Sequence, residues 1–123
     1  MPPVLNDVHS QLNATEVAQI ARPQTLTELQ TTIRRARAEG LRISLAGGRH
    51  AMGGQQFAAA SLHIDMSALD RVLNSDPVRG LLHMEAGADW PKIIAASHSM
   101  GAGPGGSWGI RQKQTGVDAV SLG

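Results

Sequence analysis

Residues 41–66 read LRISLAGGRHAMGGQQFAAASLHIDM. Across Leu41-Arg42-Ile43-Ser44-Leu45, apolar and polar side chains alternate, the period of a strand with one face in a core. Leu62, Ile64 and Met66 alternate with His63 and Asp65 in the same way, so a second strand follows. Between them Gly47, Gly48, Gly53 and Gly54 fall within eight residues. Glycines directly after a strand let the backbone take positive φ and let several N–H groups converge on an anion such as a diphosphate. The spacing is neither G-x-x-x-x-G-K-S/T nor G-x-G-x-x-G, and the helix that should follow either motif is missing. A Walker ATPase and a Rossmann domain therefore fit poorly. From its glycines alone, the loop is open to two readings: a plain connecting loop or a phosphate cradle.

Upstream, Thr25-Leu26-Thr27-Glu28 fits a capping box. Leu26, Leu29, Ile33 and Ala36 then mark one face of a helix to about residue 39, stopped by Gly40. Residues 16–20 read as a short strand, and Arg22-Pro23 forces an extended or turn conformation after it. The order is strand, helix, strand, with a right-handed crossover expected if the strands are parallel. Downstream, residues 74–80 read as a turn and residues 81–85 as a strand. Asp89 caps a helix over about residues 90–98, with Pro91 in its first turn. Residues 101–109, GAGPGGSWG, form a long loop. Val117, Ala119, Val120 and Leu122 begin another apolar segment, and the sequence ends inside it. The expected fold class is α/β (α+β): a βαβ portion, then the start of a second, mixed sheet. We expect residues 1–15 to be irregular, and residues 16–123 to be the partial domain of a longer protein.

Composition narrows the function. The chain has 123 residues, 41% of them hydrophobic and 17% charged, with a formal net charge of +1. It is globular, and it lacks the concentrated basic face of an electrostatic nucleic-acid binder. Phe57, Trp90 and Trp108 are the only aromatic residues of the Phe, Tyr and Trp class, which leaves few stacking platforms for bases. The absence of cysteine excludes disulfides, zinc knuckles and thiol catalysis within the chain. No apolar run approaches the roughly 20 residues of a membrane helix. No basic head with an apolar block opens the sequence. The expected location is cytoplasmic, with no nucleic-acid or membrane partner.

The stretch Ala46-Gly47-Gly48-Arg49-His50-Ala51-Met52-Gly53-Gly54-Gln55, with Leu62-His63-Ile64-Asp65-Met66 behind it, resembles a known element. It is similar to the first FAD-binding loop of the vanillyl-alcohol oxidase/p-cresol methylhydroxylase (PCMH-type) flavoprotein superfamily. Arg22-Pro23-Gln24-Thr25 resembles that family's entry into the first helix. Met84-Glu85-Ala86-Gly87-Ala88-Asp89-Trp90 resembles its later strand and helix start. Gly116-Val117-Asp118-Ala119-Val120-Ser121-Leu122-Gly123 resembles the beginning of its second glycine element. The resemblance covers residues 16–123 in the family's order. It implies an FAD-dependent oxidoreductase that passes hydride from an alcohol- or amine-type C–H to flavin N5. It implies that Gly47, Gly48, Arg49, His50, Ala51, Gly53, Gly54 and Gln55 line the FAD diphosphate, with Gly116, Asp118, Ser121 and Gly123 from the second element. His50 stands where several members attach the flavin covalently, although Arg49 and Ala51 flank it where Gly-His-Ser is common; otherwise it only hydrogen-bonds a phosphate or carbonyl. The implied partners are a small-molecule substrate and the remainder of the chain, including a substrate domain. The substrate base is expected beyond residue 123, so no catalytic acid or base is named here. The alternatives are a non-catalytic diphosphate-binding module and an inactive truncated piece.

Other residues carry plainer expectations. His63 and Asp65, at i and i+2, share a strand face and are expected to point to solvent; no metal site is assigned. Asp89 is a helix cap rather than one of an acid pair with Glu85. His98 complements a helix C-terminus. Trp90 is a packing anchor, and Trp108 either covers flavin or substrate or lies elsewhere in its loop. Arg34, Arg35 and Arg37 are the solvated side of the first helix, and Arg111 and Lys113 are surface charges.

Overall fold

The computed structural model describes residues 1–51, 53–101, 108–111 and 120–122. In chain order the elements are β1 (Val4–Leu5), β2 (Thr15–Glu16), β3 (Gln19–Ala21), α1 (Leu26–Ala38), β4 (Ile43–Ala46) and β5 (Leu62–Asp65). A short 3-10 helix (Met66–Ala68), β6 (Val72–Asp76), β7 (Leu81–Met84) and α2 (Trp90–Ser99) follow.

The central sheet has the order β3-β5-β4, with β5 parallel to both neighbours. The expected strand–helix–strand unit is present, but β5 is inserted between its two strands. A central parallel strand is covered on both faces, and Leu62, His63 and Ile64 are all buried. On one face, Ala36 of α1 packs against Leu62 and Ile64, with Ala21, Leu29, Leu41 and Met66 around them. The opposite face carries His63 and Ser44, paired in register.

α1 starts where its capping box placed it. The Thr25 hydroxyl accepts from Glu28 N at 3.1 Å, and the Glu28 carboxylate accepts from Gln24 N at 2.7 Å. Gly40 stops it with φ +65°, a left-handed position that glycine takes without a Cβ penalty. α2 is capped by Asp89, whose carboxylate accepts from Lys92 N at 3.0 Å, and Pro91 sits in the first turn, where its missing N–H has no helical acceptor.

Three expectations are corrected. Residues 16–20 are not one strand: β2 pairs with β1, β3 pairs with β5, and Val17 lies fully buried at the switch. Residues 1–15 are not irregular throughout, because β1 pairs antiparallel with β2. The turn of residues 74–80 shrinks to residues 77–80 between β6 and β7, where Asp76 Oδ1 accepts from Val78 N and Arg79 N. β6 escaped notice because its side chains do not alternate in burial: Val72 and Leu73 are both exposed.

A second core of Met84, Ala88 and Ile93, with Leu82, Trp90 and Ala96, joins β7 to α2. Gly87 makes the link to the first core possible. A Cβ there would lie 1.9 Å from the Met66 carbonyl oxygen, and Gly87 N donates to Leu69 O at 2.9 Å.

Candidate cofactor site

The glycine loop leaves the sheet at the end of β4. Gly48 N donates to the Ser121 hydroxyl at 3.2 Å, which brings the two glycine elements of the sequence together. Ser121 is itself placed by α2: it forms an antiparallel bridge with Asp89, Trp90 N donates to Val120 O at 3.2 Å, and Leu122 N donates to Ala88 O at 2.8 Å. Gly116, Asp118 and Gly123 lie outside the described residues.

Arg49 takes φ +58°, a left-handed conformation that costs a non-glycine residue of order 1 kcal/mol. Its carbonyl accepts from Val8 N at 3.0 Å, and its side chain is exposed. His50 follows, half-buried. Both of its ring nitrogens are buried without a hydrogen-bond partner. Its ring meets the His9 ring edge-on, with centroids 5.4 Å apart and planes at 87°. Ala51 O accepts from Gln56 Nε2 at 2.9 Å. Gly54, at φ +72°, faces Asn13 so closely that a Cβ would lie 2.8 Å from Asn13 Oδ1. Phe57 N closes the turn on Gly54 O at 3.0 Å. Gly53 and Gln55 are exposed on the same turn.

A row of polar groups runs beneath the loop. Ser61 and Ser44 hydroxyls lie 2.8 Å apart, and Ser44 Oγ lies 2.9 Å from His63 Nδ1. His63 packs against the Phe57 ring at 5.5 Å and is 1% exposed, so the expectation that it points to solvent is corrected. Its Nε2 is buried without a partner. Burial pushes its pKa down, Asp65 opposes this, and Arg49 adds to it, so the balance favours the neutral ring. Asp65 turns away to cap the 3-10 helix through Ser67 N at 2.9 Å and Ser67 Oγ at 2.6 Å. Among the described residues, no group of three or more His, Cys, Asp or Glu is arranged to hold a metal ion.

The remaining candidates sort plainly. Trp108 donates from Nε1 to Pro77 O at 2.7 Å and lies over Gly80, on the β6–β7 turn rather than on the glycine loop. Glu85 pairs with Arg71 through two contacts of 2.8 and 3.1 Å, so it forms no acid pair with Asp89. Trp90 packs into the second core, and its Nε1 is buried without a partner. His98 sits in the last turn of α2. Arg34, Arg35, Arg37 and Arg111 are exposed, and Lys113 lies outside the described residues. The contribution of residues 6–13 was missed. Its signal is Asn6, Asp7, Ser10 and Asn13, short polar side chains that bond the local backbone.

The sequence profile of the FAD binding domain family matches residues 17–115. The chain belongs to this family. No curated protein matches it. Among solved structures, an alkyldihydroxyacetonephosphate synthase superposes with a TM-score of 0.71 at 18% identity, covering 90% of this chain and 20% of that one. The 6-hydroxy-D-nicotine oxidase of Arthrobacter nicotinovorans gives 0.65 at 16%, covering 82% and 24%. An aclacinomycin oxidoreductase gives 0.57 at 23%, covering 69% and 18%. These likenesses establish the mixed α/β, PCMH-type FAD-binding fold. The chain spans between 18% and 24% of the length of these three structures. Among the described residues no helix is long and apolar enough to cross a membrane.

Proposed function

We propose that this chain supplies the nucleotide-binding part of the FAD site of an FAD-linked oxidoreductase and that His50 is the point of covalent attachment. When bound, FAD supplies a hydride acceptor at N5 for an alcohol- or amine-type C–H. The residues present suit a flavin nucleotide. Gly47, Gly48, Gly53 and Gly54 keep side-chain bulk out of the loop, and its backbone N–H groups are the donors for a diphosphate. The second glycine element, Gly116, Asp118, Ser121 and Gly123, is assigned to the same cofactor site, together with Arg49, Ala51 and Gln55 of the loop. A substrate domain in the remainder of the protein completes the active site around a small-molecule substrate.

The observation that carries this reading is His50. A neutral imidazole offers one donor and one acceptor, and here both nitrogens are buried and unused. Each group left in that state costs about 1–3 kcal/mol. That unused pair of nitrogens, on the glycine-rich loop itself, is what supports a group joined to the imidazole.

Denaturing precipitation of the whole protein, followed by flavin absorbance in pellet and supernatant, tests it. Flavin should stay with the pellet in the wild type and move to the supernatant in His50→Ala. Wild-type flavin found wholly in the supernatant would overturn covalent attachment. No flavin in either fraction, after growth with excess riboflavin, would overturn the FAD reading altogether. Anaerobic bleaching of the bound flavin by a panel of alcohols and amines then identifies the donor class.

A further inference from the structure

The family match begins at residue 17, yet the loop that carries His50 is packed by residues 6–13. Val8 N donates to Arg49 O at 3.0 Å. The His9 ring stands perpendicular to the His50 ring. Asn13 occupies the space that a side chain at Gly54 would need. One segment therefore touches the loop at three successive places: before His50, on His50 and after it.

That segment is built around a carboxylate. Asp7 is 2% exposed. It accepts from the Ser10 backbone and hydroxyl, from Gln11 N at 3.2 Å and from Asn13 Nδ2 at 2.8 Å. Asn6 closes the same turn, with Oδ1 accepting from Asn13 N at 3.0 Å and Nδ2 donating to Gln11 O at 2.8 Å. Burial opposes a charge on Asp7, but the donors of Asn13, Ser10 and Gln11 outweigh it and hold its carboxyl well below the usual carboxylate range. So many charge-assisted bonds to one buried group fix a short turn in a single shape.

We propose that residues 6–13 are a working part of the cofactor site: a carboxylate-centred clamp in which His9 is a positioning residue that sets the orientation of the His50 ring. This rests on the reading of His50 given above. His9 makes no hydrogen bond to His50, since neither His50 nitrogen has a partner. Its hold is edge-to-face ring packing, which fixes the plane of a ring without engaging its nitrogens. His50 is thereby oriented without a hydrogen bond to either ring nitrogen. Asn13 against Gly54 anchors the far side of the loop, so the clamp grips both flanks of His50.

The test uses the whole protein in flavin-free form with labelled histidine, the His50 signals being assigned by their loss in His50→Ala. In the wild type the His50 ring protons should carry a ring-current shift from His9. His9→Ala should abolish that shift and slow formation of acid-stable flavin on adding FAD by about fivefold. His9→Phe, which keeps a ring but no nitrogens, should retain a shift and restore the rate, as positioning requires. Asp7→Asn, which loosens the clamp without altering His9 or His50, should act in the same direction as His9→Ala. The proposal is overturned if His50 signals and flavin incorporation in His9→Ala match the wild type, or if His9→Phe behaves like His9→Ala. If the wild type forms no acid-stable flavin, the attachment reading fails, while the His50 ring shift still decides the clamp.

Discussion

Gly48 and Ser121 meet across 73 residues of sequence, the backbone N–H of one donating to the hydroxyl of the other at 3.2 Å. This bond ties the loop after β4 to the segment that α2 holds in place. The chain therefore fixes the separation of two backbone stretches that both face the nucleotide in the proposed site. A site made from two distant segments needs such a tie, because each alone is a surface loop with little to fix it.

Ser121→Ala removes the acceptor and leaves the Gly48 N–H unpaired in a partly buried place. The expected loss of stability is about 1 kcal/mol, seen as a small fall in the thermal midpoint. FAD affinity should fall by about fivefold, measured by titration of flavin fluorescence in the whole protein. Unchanged affinity would remove Ser121 from the proposed cofactor wall.

Gly54→Ala probes the other end of the loop. The new Cβ would sit 2.8 Å from Asn13 Oδ1, on a backbone at φ +72°. Left-handed strain and the push on Asn13 together should cost about 1–2 kcal/mol. The urea midpoint should fall accordingly. Gly54→Asn should cost less through the backbone, since asparagine tolerates that φ, but no less through the collision. A neutral result for both would mean that Asn13 yields freely and grips nothing.

Gly87→Ala should be far more damaging, although no unusual φ is involved. The added methyl would meet the Met66 and Leu69 carbonyl oxygens at 1.9 and 2.7 Å, and backbone oxygens within a 3-10 turn cannot swing aside as a side chain can. The two cores would have to separate. The expected cost is about 3 kcal/mol, read as a large drop in the urea midpoint or as insoluble protein. Gly109→Ala, with nothing within 4 Å of its Cβ, is the neutral control.

What was legible in the sequence was local. Thr25 with Glu28, Gly40, and Asp89 with Pro91 name helix ends through bonds made within one turn, so α1 and α2 were placed almost to the residue. The run from Gly47 to Gln55 declared a loop that needs its backbone uncovered, and the ordered set of motifs led to the FAD binding domain family. Lateral order was not legible: alternation says which face of a strand is apolar, not which strand lies beside it. The insertion of β5 between β3 and β4 thus came only with the structure, and with it the burial of His63. Residues 6–13 were opaque for the opposite reason. A stretch of Asn, Asp, Ser and Gln looks solvated until one sees that its polar groups satisfy one another around Asp7.

His63 offers a pH signature that tests its place under the loop. Its ring is buried, and that burial lowers its pKa in the folded chain below the ordinary histidine value of about 6.5. The unfolded chain therefore binds a proton there more readily than the folded one, and stability rises with pH over that interval. The contribution is complete above about pH 7 and is lost as pH falls through 6.5 toward the lower folded value, at no more than about 1.4 kcal/mol per pH unit. His63→Gln cannot titrate and should flatten this part of the profile, while Ser44 and Ser61 still satisfy each other's hydroxyls. The check is the urea midpoint of both proteins between pH 5 and 8, a range bracketing ordinary histidine titration. Equal slopes in the two proteins would mean that the folded chain accommodates a charged His63, and that the Ser61–Ser44–His63 row is open to water.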